Sequence, residues 1–154
     1  MKATADGTRE AERVPDGAPL LLYDGTCGFC NASVQFIIAR DRRGTMRFAP
    51  LQSDVGAAVI GRHPALRDID SVVYVDGYGT GDGERVSVRS AAALAICRYL
   101  GRPWSLASAG RVVPAVIRDA VYDLIARHRY RFFGRHDSCA LPPSDVRGRF
   151  IGVV

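Results

Sequence analysis

Apolar residues fall into short blocks along this chain, divided by glycine, proline and charge, and their spacing switches between two periods. Residues 19–24 contain the continuous run Leu20-Leu21-Leu22-Tyr23, which predicts a short central strand ending at an Asp24-Gly25 turn. From Cys30 onward the apolar positions are Cys30, Val34, Ile37 and Ile38, at helical spacing. Arg40, Arg42 and Arg43 crowd the end of that helix and Gly44 follows it. Met46 and Phe48 alternate with polar neighbours up to Pro50, a second strand. Leu51 to Ile60 reads as a short helix closed by Gly61. Ser71–Val75 and Arg85–Val88 are third and fourth strands, joined through the glycine-rich run Asp76 to Gly83. Ser90 serves as the expected N-cap of a helix reaching Leu100 and closed by Gly101. Ala92, Leu94, Ala95, Ile96, Cys97 and Tyr99 surround that helix, which predicts that it is buried. A last helix begins near Pro114, with Val113, Ile117, Val121, Leu124 and Ile125 as its apolar stripe.

The predicted order is β-α-β-α-β-β-α-α. An early βαβ unit implies parallel strands with a crossover helix, and the strand at Val86 adds an antiparallel edge. The expected class is α/β, with a central mixed sheet of about four strands flanked by helices. This resembles the thioredoxin-like order, in which a C-x-x-C pair, here Cys27 and Cys30, sits at the N-terminus of the first helix. Three regions are expected: a disordered N-terminal tail (1–18), one domain (19–134), and an irregular C-terminal tail (135–154) able to pack back on that domain.

Composition narrows the setting. The chain has 154 residues, 47% hydrophobic and 24% charged, which is ordinary for one soluble domain with a core. Its net charge of +5 rests almost wholly on arginine, since Lys2 is the only lysine. No apolar run approaches the roughly 20 residues that span a bilayer, so stable membrane insertion is not expected. The first ten residues have no hydrophobic stretch ahead of their acids, so neither is a secretory signal, and a cytoplasmic setting follows. In that setting four cysteines point to redox work or metal binding rather than to a disulfide framework.

The chemistry concentrates at Cys27-Gly28-Phe29-Cys30. Unpaired N–H groups and a partial positive charge at a helix N-terminus favour a thiolate, and Cys27 gains most. A thiol of pKa about 8.5 is roughly 7% ionised near pH 7.4, whereas one of pKa about 7 is roughly 70% ionised. Residues three apart on a helix have Cβ atoms about 5–6 Å apart, so Cys30 can reach the Cys27 sulfur after a small adjustment. Such a short loop constrains the unfolded chain little and makes a poor staple.

Asp24-x-x-Cys27-x-x-Cys30, with Arg40-Asp41 behind it and Phe48-Ala49-Pro50-Leu51-Gln52 further on, resembles the DCC family of thiol-disulfide oxidoreductases. The later half is similar too: Ser90 opens an alanine-rich helix, and Tyr130-Arg131-Phe132-Phe133-Gly134 precedes Cys139. The resemblance spans about residues 19–150 and implies a thioredoxin-like fold with a dithiol activity, but no particular substrate. The chain departs from thioredoxins in three places. Gly28-Phe29 replaces Gly-Pro within the motif, Thr26 replaces the preceding Trp, and Asp70-Ser71-Val72 lacks the proline that thioredoxins carry before their third strand.

The expected activity is exchange of a Cys27–Cys30 dithiol with a disulfide-containing protein or small molecule, of protein-disulfide reductase type. An external thiol reductant resets it, with no organic cofactor and no nucleic acid partner. Asp24 has two readings: a proton relay for Cys30, or a turn residue capping backbone N–H groups. The competing reading of the cysteines is a tetrahedral zinc site made by Cys27, Cys30, His136 and Cys139, in a binding module without catalysis. Cys97, amid apolar neighbours, is expected to be a buried structural thiol. Asp76 to Gly83 lacks the Gly-Lys-Ser/Thr ending of a phosphate loop and is expected to be a hairpin connection. The charged and aromatic run Arg127 to Phe133 is expected to be a helix end, with His63 and His128 as ordinary partly exposed histidines.

Overall fold

The structure, a computed structural model, describes residues 14–25, 28–69, 71–133 and 146–152. β1 (Leu20–Tyr23) is buried along its whole length, as its unbroken apolar run requires of a strand covered on both faces. It pairs in parallel with β2 (Arg47–Pro50), and α1 (Gly28–Arg40) makes the crossover between them. On its other side β1 pairs antiparallel with β3 (Val73–Asp76), which pairs antiparallel with β4 (Arg85–Val88). The sheet order is β2-β1-β3-β4, the mixed four-stranded α/β arrangement of a thioredoxin-like fold.

Successive strand residues face opposite sides, so the sheet feeds two cores. Leu21, Tyr23, Phe48 and Tyr74 point to one face. There they meet Cys30, Val34 and Ile37 of α1 and Ala92, Ile96, Tyr99 and Leu100 of α3 (Arg89–Leu100). Leu20, Leu22, Ala49, Val73 and Val75 point to the other, against Val59 of α2 (Asp54–Arg62) and Leu66. The spacing of Cys30, Val34 and Ile37 therefore packs α1 with its second cysteine inward.

Several local boundaries differ from the expected ones. α2 starts at Asp54 rather than Leu51, because the Ser53 hydroxyl accepts the N–H of Gly56 and caps the helix there. Gly56 is needed at that point: a Cβ would lie 2.3 Å from the Leu51 carbonyl oxygen. Ser90 is not a cap, since α3 already begins at Arg89; its hydroxyl donates to the Asp119 carboxylate of α4 (Ala115–Phe133). Between them Trp104–Val112 forms an unforeseen 3₁₀ run. The apolar stripe of α4 lies outward, with Ile117, Val121, Leu124 and Ile125 exposed, while half-buried Tyr122 and Asp119 occupy other sides of the helix. At the start, Val14 and Ala18 pack against the second core, while Pro15, Asp16 and Gly17 between them are exposed. Val14 is 7% exposed within the second core, and the Gly17 N–H donates to the Tyr78 carbonyl at 2.6 Å.

Residues 146–152 lie along the outer edge of β2. The Ile151 N–H donates to the Phe48 carbonyl at 2.8 Å and Phe150 stacks on Phe48, so the edge is covered instead of open. Arg149 holds this segment. Its Nε donates to the Met46 carbonyl and its guanidinium pairs with Asp41 just past α1.

The β3–β4 connection is tied to α2 by Glu84, whose side chain is 3% exposed. Its carboxylate accepts from Arg62 at 3.0 and 3.1 Å, from His63 Nε2 at 2.8 Å and from the Gly79 N–H at 3.0 Å. His63 is partly exposed, as expected, and also serves as a tether. Burial alone would raise the Glu84 pKa, but the hydrogen bonds from Arg62, Gly79 and His63 outweigh it and bring it from 4.5 down to about 2. A depressed carboxylate pKa stabilises the fold fully above the unfolded value, and that stabilisation drains as pH falls from 4.5 toward 2. Glu84→Gln is expected to lose on the order of 2 kcal/mol at pH 7. It should also flatten the acid limb, which urea unfolding at pH 7, 4 and 3 measures; equal slopes in both proteins would contradict this role.

Candidate functional site

The site is built where β1 ends. A buried strand delivers the chain to Asp24, half-buried, and Gly25, buried, and α1 opens three residues later at Gly28. Asn31 steadies this corner, its Nδ2 donating to the Gly25 carbonyl at 3.3 Å. Gln52, just after β2, reaches Asp24 Oδ1 with its Nε2 at 3.4 Å. The parallel pairing of Tyr23 with Pro50 brings the two strand ends side by side, which is how residues so far apart in sequence meet. Gln52 had appeared only as part of the Phe48 to Gln52 block; its link to Asp24 depends on strand register and has no local signal.

Cys30 sits in the first turn of α1 and is 1% exposed, packed in the first core with Leu21, Tyr23 and Val34. A C-x-x-C whose second member is this deep has an inner thiol that bulk reagents reach poorly. The first turn of α1 carries no acid, so nothing on the helix itself cancels the positive end of its dipole. Cys27 immediately precedes the helix in sequence but lies outside the described residues, as do His136 and Cys139. Among the described residues no group of three or more His, Cys, Asp or Glu side chains could hold a metal ion.

The other cysteine behaves differently. Cys97 of α3 is a free, half-buried thiol rather than a fully buried one, and burial pushes its pKa up, keeping it protonated and unreactive. The Gly-rich run is the hairpin connection between β3 and β4, with positive φ at Gly77, Gly79 and Gly81. The Arg40-Asp41 pair also gains a structural account. Arg40 lies over the Phe36 ring at 3.8 Å on the outside of α1, while Asp41 turns inward to anchor the C-terminal segment. No helix among the described residues is long and apolar enough to cross a membrane.

Comparison with known proteins agrees with this arrangement. Residues 21–135 match the family described as DCC1-like thiol-disulfide oxidoreductase. The chain is 38% identical over 142 residues to the uncharacterized protein YuxK of Bacillus subtilis (strain 168), covering 92% of this chain and 98% of that one. It is also 38% identical over 130 residues to the DCC family protein At1g52590, chloroplastic, of Arabidopsis thaliana, covering 82% and 71% respectively. No solved structure matches significantly. With most of its length, β2, all but the first residue of β1 and the C-x-x-C inside the matched region, this chain belongs to the DCC1-like thiol-disulfide oxidoreductase family.

Proposed function

We propose that the chain reduces disulfides through Cys27 and Cys30, as a protein-disulfide reductase-type enzyme of the cytoplasm. The observation that carries the reading is Cys30, buried in the first turn of α1 at the C-terminal end of β1, in a chain of a thiol-disulfide oxidoreductase family. The Cys27 thiolate attacks one sulfur of a protein or small-molecule disulfide. A mixed disulfide forms and the first substrate thiolate leaves. Cys30 then gives up its proton, with Asp24 as the relay, and attacks the Cys27 sulfur. The second substrate thiolate leaves and the Cys27–Cys30 disulfide remains, two electrons having passed to the substrate. An external thiol restores the dithiol, and no organic cofactor takes part.

Alkylation by iodoacetamide, read by mass spectrometry across pH, tests this directly. Lowering a thiol pKa also lowers its intrinsic nucleophilicity, so the absolute rate discriminates poorly and the midpoint discriminates well. The rate at Cys27 is expected to level off with a midpoint near about 7, against about 8.5 for an unstructured peptide thiol. Cys30 should stay unmodified until the fold opens. A Cys27 midpoint equal to that of the peptide, or stoichiometric zinc shielding both thiols in the same preparation, would replace the enzyme with a binding module.

A further inference from the structure

A second feature lies at the β4 edge of the sheet, two strands from β1. One face of α3 (Ala91, Leu94, Ala95 and Arg98), the second half of the 104–112 run and the first turn of α4 line a cavity of about 140 Å³. Three guanidiniums line it, Arg98, Arg111 and Arg118, together with Ser87 of β4, and no acid does. None of the three has a hydrogen bond or ion pair to any described residue. Arg118 is the most telling. Its Nε is cut off from solvent and has no acceptor, an arrangement that proteins rarely leave standing. The first turn of α4 holds no acid and carries Arg118 beside the positive end of the helix; Asp119, which follows it, is bonded to Ser90.

Arg98 and Arg111 are exposed and Arg118 is half-buried; three like charges lining one small cavity repel each other, and an anionic oxygen there would relieve that repulsion while satisfying a donor. Guanidinium forks match the planar pairs of oxygens on a tetrahedral oxyanion, and the Ser87 hydroxyl offers one more donor. The volume suits a group of a few heavy atoms rather than a nucleotide. We propose that this cavity is a binding site for a small dianion of the phosphate class, taken either as the free ion or as the terminal group of a phosphate monoester. It is independent of the dithiol chemistry, and its test does not require activity.

The experiment is thermal unfolding and calorimetric titration of the full chain with inorganic phosphate, at constant ionic strength to hold general screening fixed. Saturable binding in the millimolar range or tighter is expected, with a matching rise in melting temperature. Arg111→Gln, at an exposed position, should keep a ligand-free melting temperature at or above that of the wild type, through lost repulsion, and weaken phosphate binding about tenfold. Arg118→Gln should weaken it at least as much; should that variant not fold, Arg111→Gln alone decides. Glycerol 3-phosphate forms a second arm. Binding tighter than phosphate identifies an ester-borne group, and binding no tighter identifies the free ion. No saturation by either probe at 10 mM or so, undiminished binding by Arg111→Gln, or equal binding of succinate would each overturn the assignment.

Discussion

Cys30→Ser turns the chain into a trap: incubated with a disulfide substrate, it accumulates a covalent mixed disulfide through Cys27, and steady-state reduction falls by roughly two to three orders of magnitude. The two attacks come in a fixed order in the proposed mechanism. In the proposed mechanism Cys27 still opens the substrate disulfide, since that first attack does not need Cys30. Only the second, intramolecular attack is lost, and without it the intermediate waits for an external thiol. The variant also has a structural effect, since Cys30 is 1% exposed in an apolar cluster. A hydroxyl there lacks the adaptability of a thiol, which packs as a small hydrophobe. Cys30→Ala separates the two effects, keeping the site apolar while removing the resolving sulfur. Both variants should trap, and Cys27→Ser should not. Non-reducing mass spectrometry supplies the readout, with the adduct mass locating the bond. Trapping at Cys97 instead of Cys27, or none with any of several protein and low-molecular-weight disulfides, would remove the proposed order of attack.

How far the fold could be read from the residues depended on the range of the forces involved. β1 was legible because four consecutive apolar residues admit little but a strand covered on both sides, and α1 because Cys30, Val34 and Ile37 repeat at 3.6-residue spacing. The depth of Cys30 follows from that same spacing. The Trp104–Val112 run was not legible, since Ser, Ala and Gly in quick succession have no apolar period and 3₁₀ turns have no strong propensity code. For α4 the amphipathic pattern was visible, but a pattern names an apolar side without naming what covers it; here the stripe of Ile117, Val121 and Leu124 faces outward. At the site, Asp24 and the two cysteines stand out within seven residues of sequence. Gln52 meets Asp24 across a separation of 28 residues, and Asp41 meets Tyr99 and Arg149 across 58 and 108. Contacts of that range are set by register and helix packing, which a linear pattern does not encode.

Asp41 carries the largest stability effect expected outside the apolar core. Its side chain is 1% exposed and gathers donors from four residues: the N–H groups of Arg43 and Gly44 at 3.0 and 3.1 Å, the Tyr99 hydroxyl at 3.0 Å, and Arg149. The first two shape the turn after α1, where Gly44 adopts φ +65°, closed to most side chains. Tyr99 extends the network, accepting the Met46 N–H at 3.0 Å and bonded to Thr45 at 2.8 Å. Asp41→Ala therefore strips Arg149 of its charge partner and Tyr99 of one acceptor at once, while Tyr99 keeps Thr45 and Met46 and Arg149 keeps the Met46 carbonyl. The loss should be about 3 kcal/mol, at the lower end for a broken buried pair because Arg149 is 14% exposed and can recover some water. Asp41→Asn keeps the acceptor toward the turn but not the charge, and should lose about half as much. The same change should loosen the 146–152 segment, so hydrogen exchange at the Ile151 amide accelerates more than at the β1 amides. A double-mutant cycle with Arg149→Gln separates the ion pair from the rest: coupling of about 1–2 kcal/mol is expected, the remainder belonging to the turn and Tyr99. If Asp41→Ala unfolds in urea within 0.5 kcal/mol or so of the wild type, the clasp contributes nothing and the β2 edge is held by Phe150 and Ile151 packing alone.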